Sequence, residues 1–351
     1  MKVIALMPVR NEAQLLPLSL GCLETFCDRI FVLVDEQSTD NSAAVARSFA
    51  KAEVVENKGA SGASVAAGAL VKGRALLFEA FRSFEGNNIG LCVDADEIAP
   101  PLRFDTFRQA IAEIDRPGSV FSLWWVQLWR SLDVYRSDDS VWSNSWKPMA
   151  FHDDRRLAYP DDQPHFHESR IPAASREVRR LERFPVVHLQ WAFWDRTQYK
   201  QASLRVFEYV DAGFRGAAEI NARYRATLGD DREGVSPVEP DWLRGLVFPD
   251  ALRAPLPSWH RDRILALFDQ YGIARFEPLQ IWHIPEFAKR FAAAIGRPPR
   301  PRVYGPWAWQ ARRLAGVVLP ASMRARLKGA LRGRPSGAAP GGTAANPADR
   351  S

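Results

Sequence analysis

Long hydrophobic runs are missing from this sequence, because no stretch approaches the roughly 18 apolar residues that cross a bilayer. The N-terminus has one lysine and a short apolar run, without the small-residue cleavage site of a signal peptide. Cysteine is scarce: Cys22, Cys27 and Cys92 form an odd set without metal-ligand spacing, so we expect buried thiols. We therefore expect an intracellular protein.

Acidic residues are missing from residues 297–334, where nine arginines and one lysine occur. Without these ten cations the net charge of +6 becomes −4, so the basic character belongs to this segment and not to the main body. The acidic body, without a recognisable module, argues against nucleic-acid binding. Trp, Leu and Val stand among the arginines at roughly helical spacing, which is typical of a helix lying on an anionic membrane. A basic helix packed on the body is the alternative.

Strands and helices alternate over the first 95 residues or so. "KVIALMP", "RIFVLVDE", "AEVVEN" and "NIGLCVDAD" read as strands, with helical patterns between them. One of Ser38, Thr39 and Asp40 is expected to cap the second helix, and the glycine-rich stretch 58–73 is expected to be a mobile loop. This alternation predicts an α/β fold, with a parallel sheet and helices on both faces.

Polar residues follow three of the predicted strands, in residues 8–11, 35–38 and 94–97. If the strands are neighbours in one sheet, these residues meet at one edge, where ligands bind in such folds. Carboxylates gathered there repel one another unless they share a cation. Asp94 and Asp96 are hard oxygen ligands that suit Mg²⁺ or Mn²⁺ bound together with substrate phosphates. A solvated turn is the alternative for an isolated D-x-D triplet.

The order of three motifs, "MPVRNEAQLL", "IFVLVDEQSTDNSAAVA" and "LCVDADEI", resembles the family 2 glycosyltransferases, which have the GT-A fold. The resemblance covers about residues 1–100. It implies a mixed, mainly parallel sheet with helices on both faces, followed by a helical C-terminal extension. Glu36 and Gln37 depart from the family pattern, which commonly has Asp and Gly at these two positions.

The resemblance implies roles for individual residues. Those that would bind the nucleotide-sugar are Pro8, Arg10, Asn11, Glu12, Asp35, Glu36, Asp94 and Lys200. Asp94 would face both the ribose and the metal, and Asp96 and His188 would be metal ligands, with Mn²⁺ or Mg²⁺ as the cofactor. Arg74 is a second candidate for the diphosphate. Lys200 or Arg74 could instead be a solvated surface residue. His188 could instead bind phosphate, or be a histidine with satisfied hydrogen bonds at the end of its strand.

Past residue 100 the resemblance is looser. The His167-Glu168 pair in "DQPHFHESRIP" and the run from His188 through Lys200 to Tyr209 are similar to segments of bacterial enzymes that act on lipopolysaccharide. A carboxylate near the acceptor hydroxyl can take its proton as the hydroxyl attacks the anomeric carbon. We predict Glu168 as this base, and one-step attack would invert the anomeric configuration. A retaining route stays open.

Several features have competing interpretations. Trp124, Trp125 and Trp129 suit a packed core better than a sugar platform. Glu97 is as well explained by a cap or a loop as by a functional role. A protein that binds nucleotide-sugars without turnover is one alternative function, and a sugar nucleotidyltransferase is another. The latter would have a glycine-rich basic loop where "PVRNEAQ" stands.

The predicted organisation has five parts. They are a nucleotide-sugar-binding half (1–100), an acceptor-binding half (101–230), a helical extension (231–296), the basic segment (297–334) and a disordered tail (335–351). The expected activity is transfer of a sugar from a nucleoside-diphosphate sugar to a hydroxyl of a glycan or glycolipid. The expected location is the cytoplasm, with possible peripheral contact with the inner membrane face through the basic segment.

Overall fold

The fold is described from a computed structural model over most of the first 302 residues. The described ranges are 1–56, 67–114, 116–138, 143, 145–158, 170–172, 178–224, 234–252 and 259–302. Residues Met1–Arg302 form one compact unit. The remainder, Val303–Ser351, contains most of the predicted basic segment and lies outside the described residues. In the part that is described, no helix is both long and apolar enough to cross a membrane.

Four parallel strands form the first half of the main sheet. They are β1 (Val3–Val9), β2 (Arg29–Val34), β3 (Ala52–Val55) and β4 (Ile89–Cys92). Their order is β3-β2-β1-β4, and every neighbouring pair is parallel. This confirms the parallel sheet predicted from the alternation of strands and helices.

The sheet continues with strands of mixed direction. These are β5 (Glu97–Ile98), β6 (Val120–Gln127), β8 (Trp146–His152) and β9 (Val178–His188). β8 runs antiparallel to β4 and β6, whereas β9 runs parallel to β6 and antiparallel to β5. The eight-stranded order is β3-β2-β1-β4-β8-β6-β9-β5, which confirms the predicted mixed, mainly parallel fold class.

Eight α-helices occur in the described part of the chain. They are α1 (Leu16–Phe26), α2 (Ser42–Arg47), α3 (Ala67–Arg82), α4 (Phe104–Ile114), α5 (Trp194–Asp211), α6 (Ala217–Arg223), α7 (Trp259–Tyr271) and α8 (Pro285–Ile295). Side chains of β1 alternate between two cores: Ala5 and Met7 pack with α1 and α4, while Ile4 and Leu6 pack with α3. A strand buried on both faces reads as a continuous apolar run, as β1 does in the sequence.

The loop predicted for residues 58–73 is partly wrong, because α3 begins at Ala67. Gly73, the last residue of the stretch, allows close packing of α3 on the sheet. A Cβ on Gly73 would lie 2.9 Å from Cδ2 of Leu33 in β2, so glycine lets the helix approach the sheet. Glycine is typical both of loops and of positions where a helix packs closely on a sheet, so the sequence pattern did not distinguish the two.

A further expectation needs correction. The N-cap of α2 is Asn41, one residue after the predicted candidates, although Asp40 accepts hydrogen bonds from the backbone and hydroxyl of Ser42.

The start of the segment 231–296 contains a strand as well as helices. Its short strand β10 (Val235–Pro237) pairs with β7 (Val134–Arg136), and Trp242 is fully buried.

Replacement of Gly90 by alanine is expected to destabilise the protein. The new Cβ would overlap the ring of Phe151, which is fully buried and packs edge-on against Phe78 and Phe81. Overpacking of this kind costs about 1–3 kcal/mol, measurable as a lower urea midpoint. Gly21→Ala in α1 is the control, because nothing lies within 4 Å of its new Cβ and alanine favours a helix. Equal effects of the two variants would contradict the prediction.

Candidate functional site

The loop that follows β1 is fastened to the loop that follows β2. Asn11 has a left-handed backbone (φ 54°), and its Oδ1 accepts a hydrogen bond from the Thr39 N–H at 2.7 Å. Ser38 Oγ accepts from the Asn11 N–H at 3.3 Å, and Ser42 Oγ accepts from the Glu12 N–H at 3.0 Å. Asparagine tolerates the left-handed region better than most residues. The "RNE" and "STDNS" motifs thus build one edge of the sheet together.

Arg10 lies over the end of β2. Its guanidinium donates to Oε1 of Gln37 at 2.6 Å and is 3.7 Å from Oδ2 of Asp35. It also stacks 5.1 Å from the ring centroid of Trp259, the first residue of α7. Glu36 beside them is exposed. Gln37, which departs from the family pattern, therefore orients Arg10 in this chain.

Two arginines hold Asp94 from opposite parts of the sequence. Arg74 in α3 donates to Oδ1 and Arg170 donates to Oδ2, each at 2.9 Å. Burial alone would raise the pKa of Asp94, but Arg170 and Arg74 outweigh it and leave the pKa below its ordinary value. Asp94 is therefore a fixed anion with both oxygens engaged.

Glu97 is the buried centre of the same network, with only 1% of its surface exposed. Its carboxylate accepts three hydrogen bonds, from Arg170 at 2.7 Å, from Trp125 Nε1 at 2.7 Å and from the Asp94 N–H at 2.7 Å. Trp125 in turn stacks on the imidazole of His188, with centroids 4.5 Å apart. Glu97 is thus part of a buried network and not an ordinary loop acid.

The aromatic run around β6 is packed into the protein. Trp125 and Trp129 are buried, and Trp124 is half-buried with its Nε1 donating to the Ser143 carbonyl. Trp124 also contacts Trp242 edge-on at 5.5 Å. This agrees with the core interpretation of the three tryptophans that the sequence favoured.

Asp96 faces a lysine and a histidine. Lys200 Nζ is 2.9 Å from Oδ2 of Asp96, and His188 Nε2 is 3.4 Å from the same oxygen. The strand register explains the encounter, because Glu97 pairs with His188 across β5 and β9. Burial would raise the pKa of Asp96, but Lys200 outweighs it and holds the pKa well below its ordinary value.

The donor set at Asp96 fits a divalent cation. His188 Nδ1 lies 2.7 Å from the amide oxygen Oε1 of Gln127, which can accept a hydrogen bond from it, so Nε2 is the ring nitrogen that faces Asp96. A hydrogen bond that orients a histidine in this way is typical of metal ligands. The described residues contain no group of three or more His, Cys, Asp or Glu that could hold a metal. Substrate oxygens and water would complete such a two-ligand set.

A second polar cluster lies on the α5 side of the loop after β1. Arg196 donates to Oε2 of Glu12 at 2.5 Å and to Gln14 at 3.2 Å. Burial raises the pKa of Glu12, although Arg196 and Lys200 oppose the rise. The electrostatic interactions of Glu12 with Lys200 and Asp96 connect this cluster to the acids after β4.

The structure brings most of the predicted site residues to one edge of the sheet. Pro8 lies in β1 opposite Leu33, beside the loop that contains Arg10, Asn11 and Glu12. The other members that surround this edge are Asp35, Glu36, Asp94, Asp96, His188 and Lys200. Glu168, the predicted base, lies outside the described residues, as does its neighbour His167.

Sequence reasoning missed several partners at this edge. They are Gln127, Arg170, Arg196, Trp259 and His260. Two of them left a signal in the sequence. Arg196 is four residues before Lys200, on the same face of α5. Arg170 follows the His167-Glu168 motif by two residues. The others meet the site only through tertiary packing.

Glu97→Gln is expected to lower the free energy of unfolding by about 3 kcal/mol or more. The amide places donors where three donors already converge and leaves the buried Arg170 guanidinium with less compensating charge. Chemical denaturation measures the loss. Glu113→Gln on the exposed face of α4 is the control and should change stability by less than about 0.5 kcal/mol. A loss at Glu97 as small as the control would contradict the prediction.

His260 predicts a pH dependence of stability. Burial lowers its pKa well below the ordinary value, and the nearby cations, Lys200, Arg196, Arg10 and Arg263, add to the effect. Below pH 6.5 the unfolded chain therefore binds a proton that the folded chain does not, so stability falls as pH falls. Between pH 7.5 and pH 5 this amounts to about 2 kcal/mol. We expect the difference in free energy of unfolding between wild type and His260→Asn to change by this amount. A difference that stays constant with pH would contradict it.

No protein-family model matches the chain, and no curated protein matches it. Solved structures do match, among them S. aureus TarS at 14% identity, covering 61% of this chain and 43% of that one with a TM-score of 0.34. The TarS 1–349 structure in complex with UDP matches at 15% identity, covering 85% and 92% with a TM-score of 0.33. Glucosyl-3-phosphoglycerate synthase from Mycobacterium tuberculosis, with Mn²⁺ and UDP-Glc, matches at 18% identity, covering 35% and 43% with a TM-score of 0.25. These solved structures are distant likenesses, at identities of 14–18% and TM-scores of 0.25–0.34.

Proposed function

We propose that the protein is a glycosyltransferase that moves a sugar from a nucleoside-diphosphate sugar to a hydroxyl of a glycan or glycolipid. One observation carries the proposal: residues that follow β1, β2 and β4 form a single polar edge, where Asp94 and Asp96 face cations from distant parts of the chain. In parallel sheets, this edge is where ligands bind. The three sequence motifs contribute the residues that form it.

The nucleoside would lie over the ends of β1 and β2. Asp35 offers carboxylate oxygens to the base or ribose, beside Arg10, which its contact with Gln37 orients. The hydrogen bonds of Asn11 to the loop after β2 keep both walls of this region in place. Asp94, fixed by Arg74 and Arg170, would accept a hydrogen bond from the ribose. Rigid polar groups of this kind fix the orientation of a ligand.

The diphosphate would be received by basic side chains of α5. Lys200 and Arg196 lie one turn apart, next to Asp96 and Glu12 respectively. Hydrogen bonds from charged donors to phosphate are about twice as strong as neutral ones. These side chains would offset the charge that grows on the leaving diphosphate as the bond between the anomeric carbon and the diphosphate oxygen breaks.

Mn²⁺ or Mg²⁺ would be held by Asp96 and His188, with Asp94 beside them. A divalent cation supplies Lewis-acid stabilisation of the leaving diphosphate when it is bound. The chain contributes the orientation of its ligands. Gln127 holds the imidazole by Nδ1, and stacking on Trp125 fixes the plane of the ring. Both contacts would keep Nε2 directed towards Asp96.

Glu168 would take the proton from the acceptor hydroxyl. It precedes Arg170 by two residues, and Arg170 binds Asp94 and Glu97 at the donor edge. This short sequence separation supports Glu168 as the base, at a contribution of roughly 10²–10⁴-fold to the rate. In-line attack in one step would invert the anomeric configuration. Surface-polysaccharide or glycolipid assembly at the inner membrane face would suit such an enzyme, with residues 297–334 in contact with anionic lipid.

Nucleotide release tests the proposal. The protein is incubated with UDP-, GDP-, dTDP- and CMP-sugars, each with Mn²⁺ or with EDTA. We expect release from one donor, lost with EDTA and reduced about 10²-fold or more in Asp96→Asn, because that variant loses the anion at the metal. Asp269→Asn, an exposed partner of Arg290, is the matched control and should retain release.

Nucleotide binding to the protein tests the proposal even if turnover requires an acceptor. Calorimetry with UDP, GDP, dTDP and CMP in the presence of Mn²⁺ should find one nucleotide that binds, more weakly in Asp96→Asn. Absence of both release and binding would refute the transferase proposal. Pyrophosphate release from a nucleoside triphosphate and a sugar 1-phosphate would identify a nucleotidyltransferase instead.

A further inference from the structure

Lys200 occupies the place where a cation would meet Asp96. Its Nζ is 2.9 Å from Oδ2 of Asp96, the same oxygen that lies 3.4 Å from His188 Nε2. The Asp96 side chain is 8% exposed, whereas the Lys200 side chain is 24% exposed. The buried acid therefore has its charge compensated by a lysine that is partly accessible to solvent.

A divalent cation at this oxygen would be repelled by the ammonium. Two like charges a few ångströms apart repel strongly where burial limits screening by water. Asp94 does not relieve the conflict, because both of its oxygens are already held by Arg74 and Arg170. Bound metal and the Lys200–Asp96 pair are therefore mutually unfavourable.

Lys200 interacts with a second acid besides Asp96. This acid is Glu12, which is paired with Arg196, one turn before Lys200 on α5. A lysine has a flexible four-carbon stem and a compact charge, so it changes partners more easily than an arginine held at two points. A diphosphate would offer the ammonium a more highly charged partner than one carboxylate.

We propose that Lys200 is the resident counter-ion of Asp96 in the ligand-free protein, and that it transfers to the diphosphate when the nucleotide binds. Asp96 and His188 are then released for the divalent cation, so nucleotide and metal bind cooperatively. The inference rests on the proposed function, because it takes the metal and the diphosphate from there. Lys200 thus pairs first with Asp96 and then with the diphosphate, and does not keep one partner throughout.

Replacement of Lys200 by methionine should change two affinities in opposite directions. Without nucleotide, Mn²⁺ affinity, measured by electron paramagnetic resonance of the free ion, should rise about tenfold or more, because the competing charge is gone. With EDTA present, affinity for the nucleoside diphosphate that the wild type binds, measured by calorimetry over UDP, GDP, dTDP and CDP, should fall about tenfold. A general loss of folding would lower both affinities.

Two variants serve as controls in the full-length protein. Arg290→Met removes an exposed cation that pairs with Asp269 and that has no role in the proposed site, so its Mn²⁺ affinity should change by less than about threefold. The double variant Lys200→Met with Asp96→Asn should lose the gain in Mn²⁺ affinity, which locates that gain at Asp96.

Each outcome decides the matter. Tighter Mn²⁺ and weaker nucleotide binding in Lys200→Met support the exchange of partners. Unchanged or weaker Mn²⁺ binding in Lys200→Met overturns this exchange. If Mn²⁺ binding is nevertheless lost in the single variant Asp96→Asn, the proposed metal site is still supported. Unchanged nucleotide binding overturns the transfer to the diphosphate. If neither wild type nor Lys200→Met binds Mn²⁺, with or without the nucleoside diphosphate, both the inference and the proposed metal site fail, and nucleotide binding in EDTA still tests the donor site.

Discussion

Compensation of buried negative charge is the constraint on which the rest of this structure depends. Asp94, Asp96 and Glu97 lie within four residues; Asp96 and Glu97 are buried and Asp94 is partly buried. A buried carboxylate without a partner costs several kcal/mol. The chain supplies the partners from far away, with Arg170 on Asp94 and Glu97 and Lys200 on Asp96. Residues 1–100 and the residues that follow them are therefore joined by ion pairs at the candidate site.

Local patterns were sufficient to predict the first half of the sheet. β1 alternates between two cores, so its sequence is continuously apolar, and the polar residues that follow β2 and β4 mark where each strand ends. The hydrogen bonds between "RNE" and "STDNS" are formed by residues whose side chains favour turns, which also makes them visible in sequence. Short connections and strong periodicity make such a region predictable. The glycine-rich start of α3 is the exception, because small residues suit both a loop and close helix packing.

The partners of the acids could not be predicted in the same way. Arg170 reaches Asp94 across 76 residues, and Lys200 reaches Asp96 across 104. Nothing in the local sequence distinguishes these cations from solvated ones. Their roles follow from strand register, since the pairing of Glu97 with His188 sets where β9 ends and hence where α5 begins. Trp259 and His260 meet the site through helix packing of α7 on α5, which periodicity does not encode.

The compensated charge also bears on how a ligand could bind. A cluster of bare carboxylates would repel a diphosphate, whereas acids that already hold arginine and lysine present the ligand with an edge close to neutral. An anionic ligand then exchanges with a carboxylate for the same cation and does not need a new one. The exchange is easiest where the cation is flexible and partly exposed, as Lys200 is, and hardest where a guanidinium is buried between two acids, as Arg170 is. At this edge, the ion pairs of Arg170 are therefore suited to stabilising the fold, whereas the Lys200–Asp96 pair is suited to an exchange of partners.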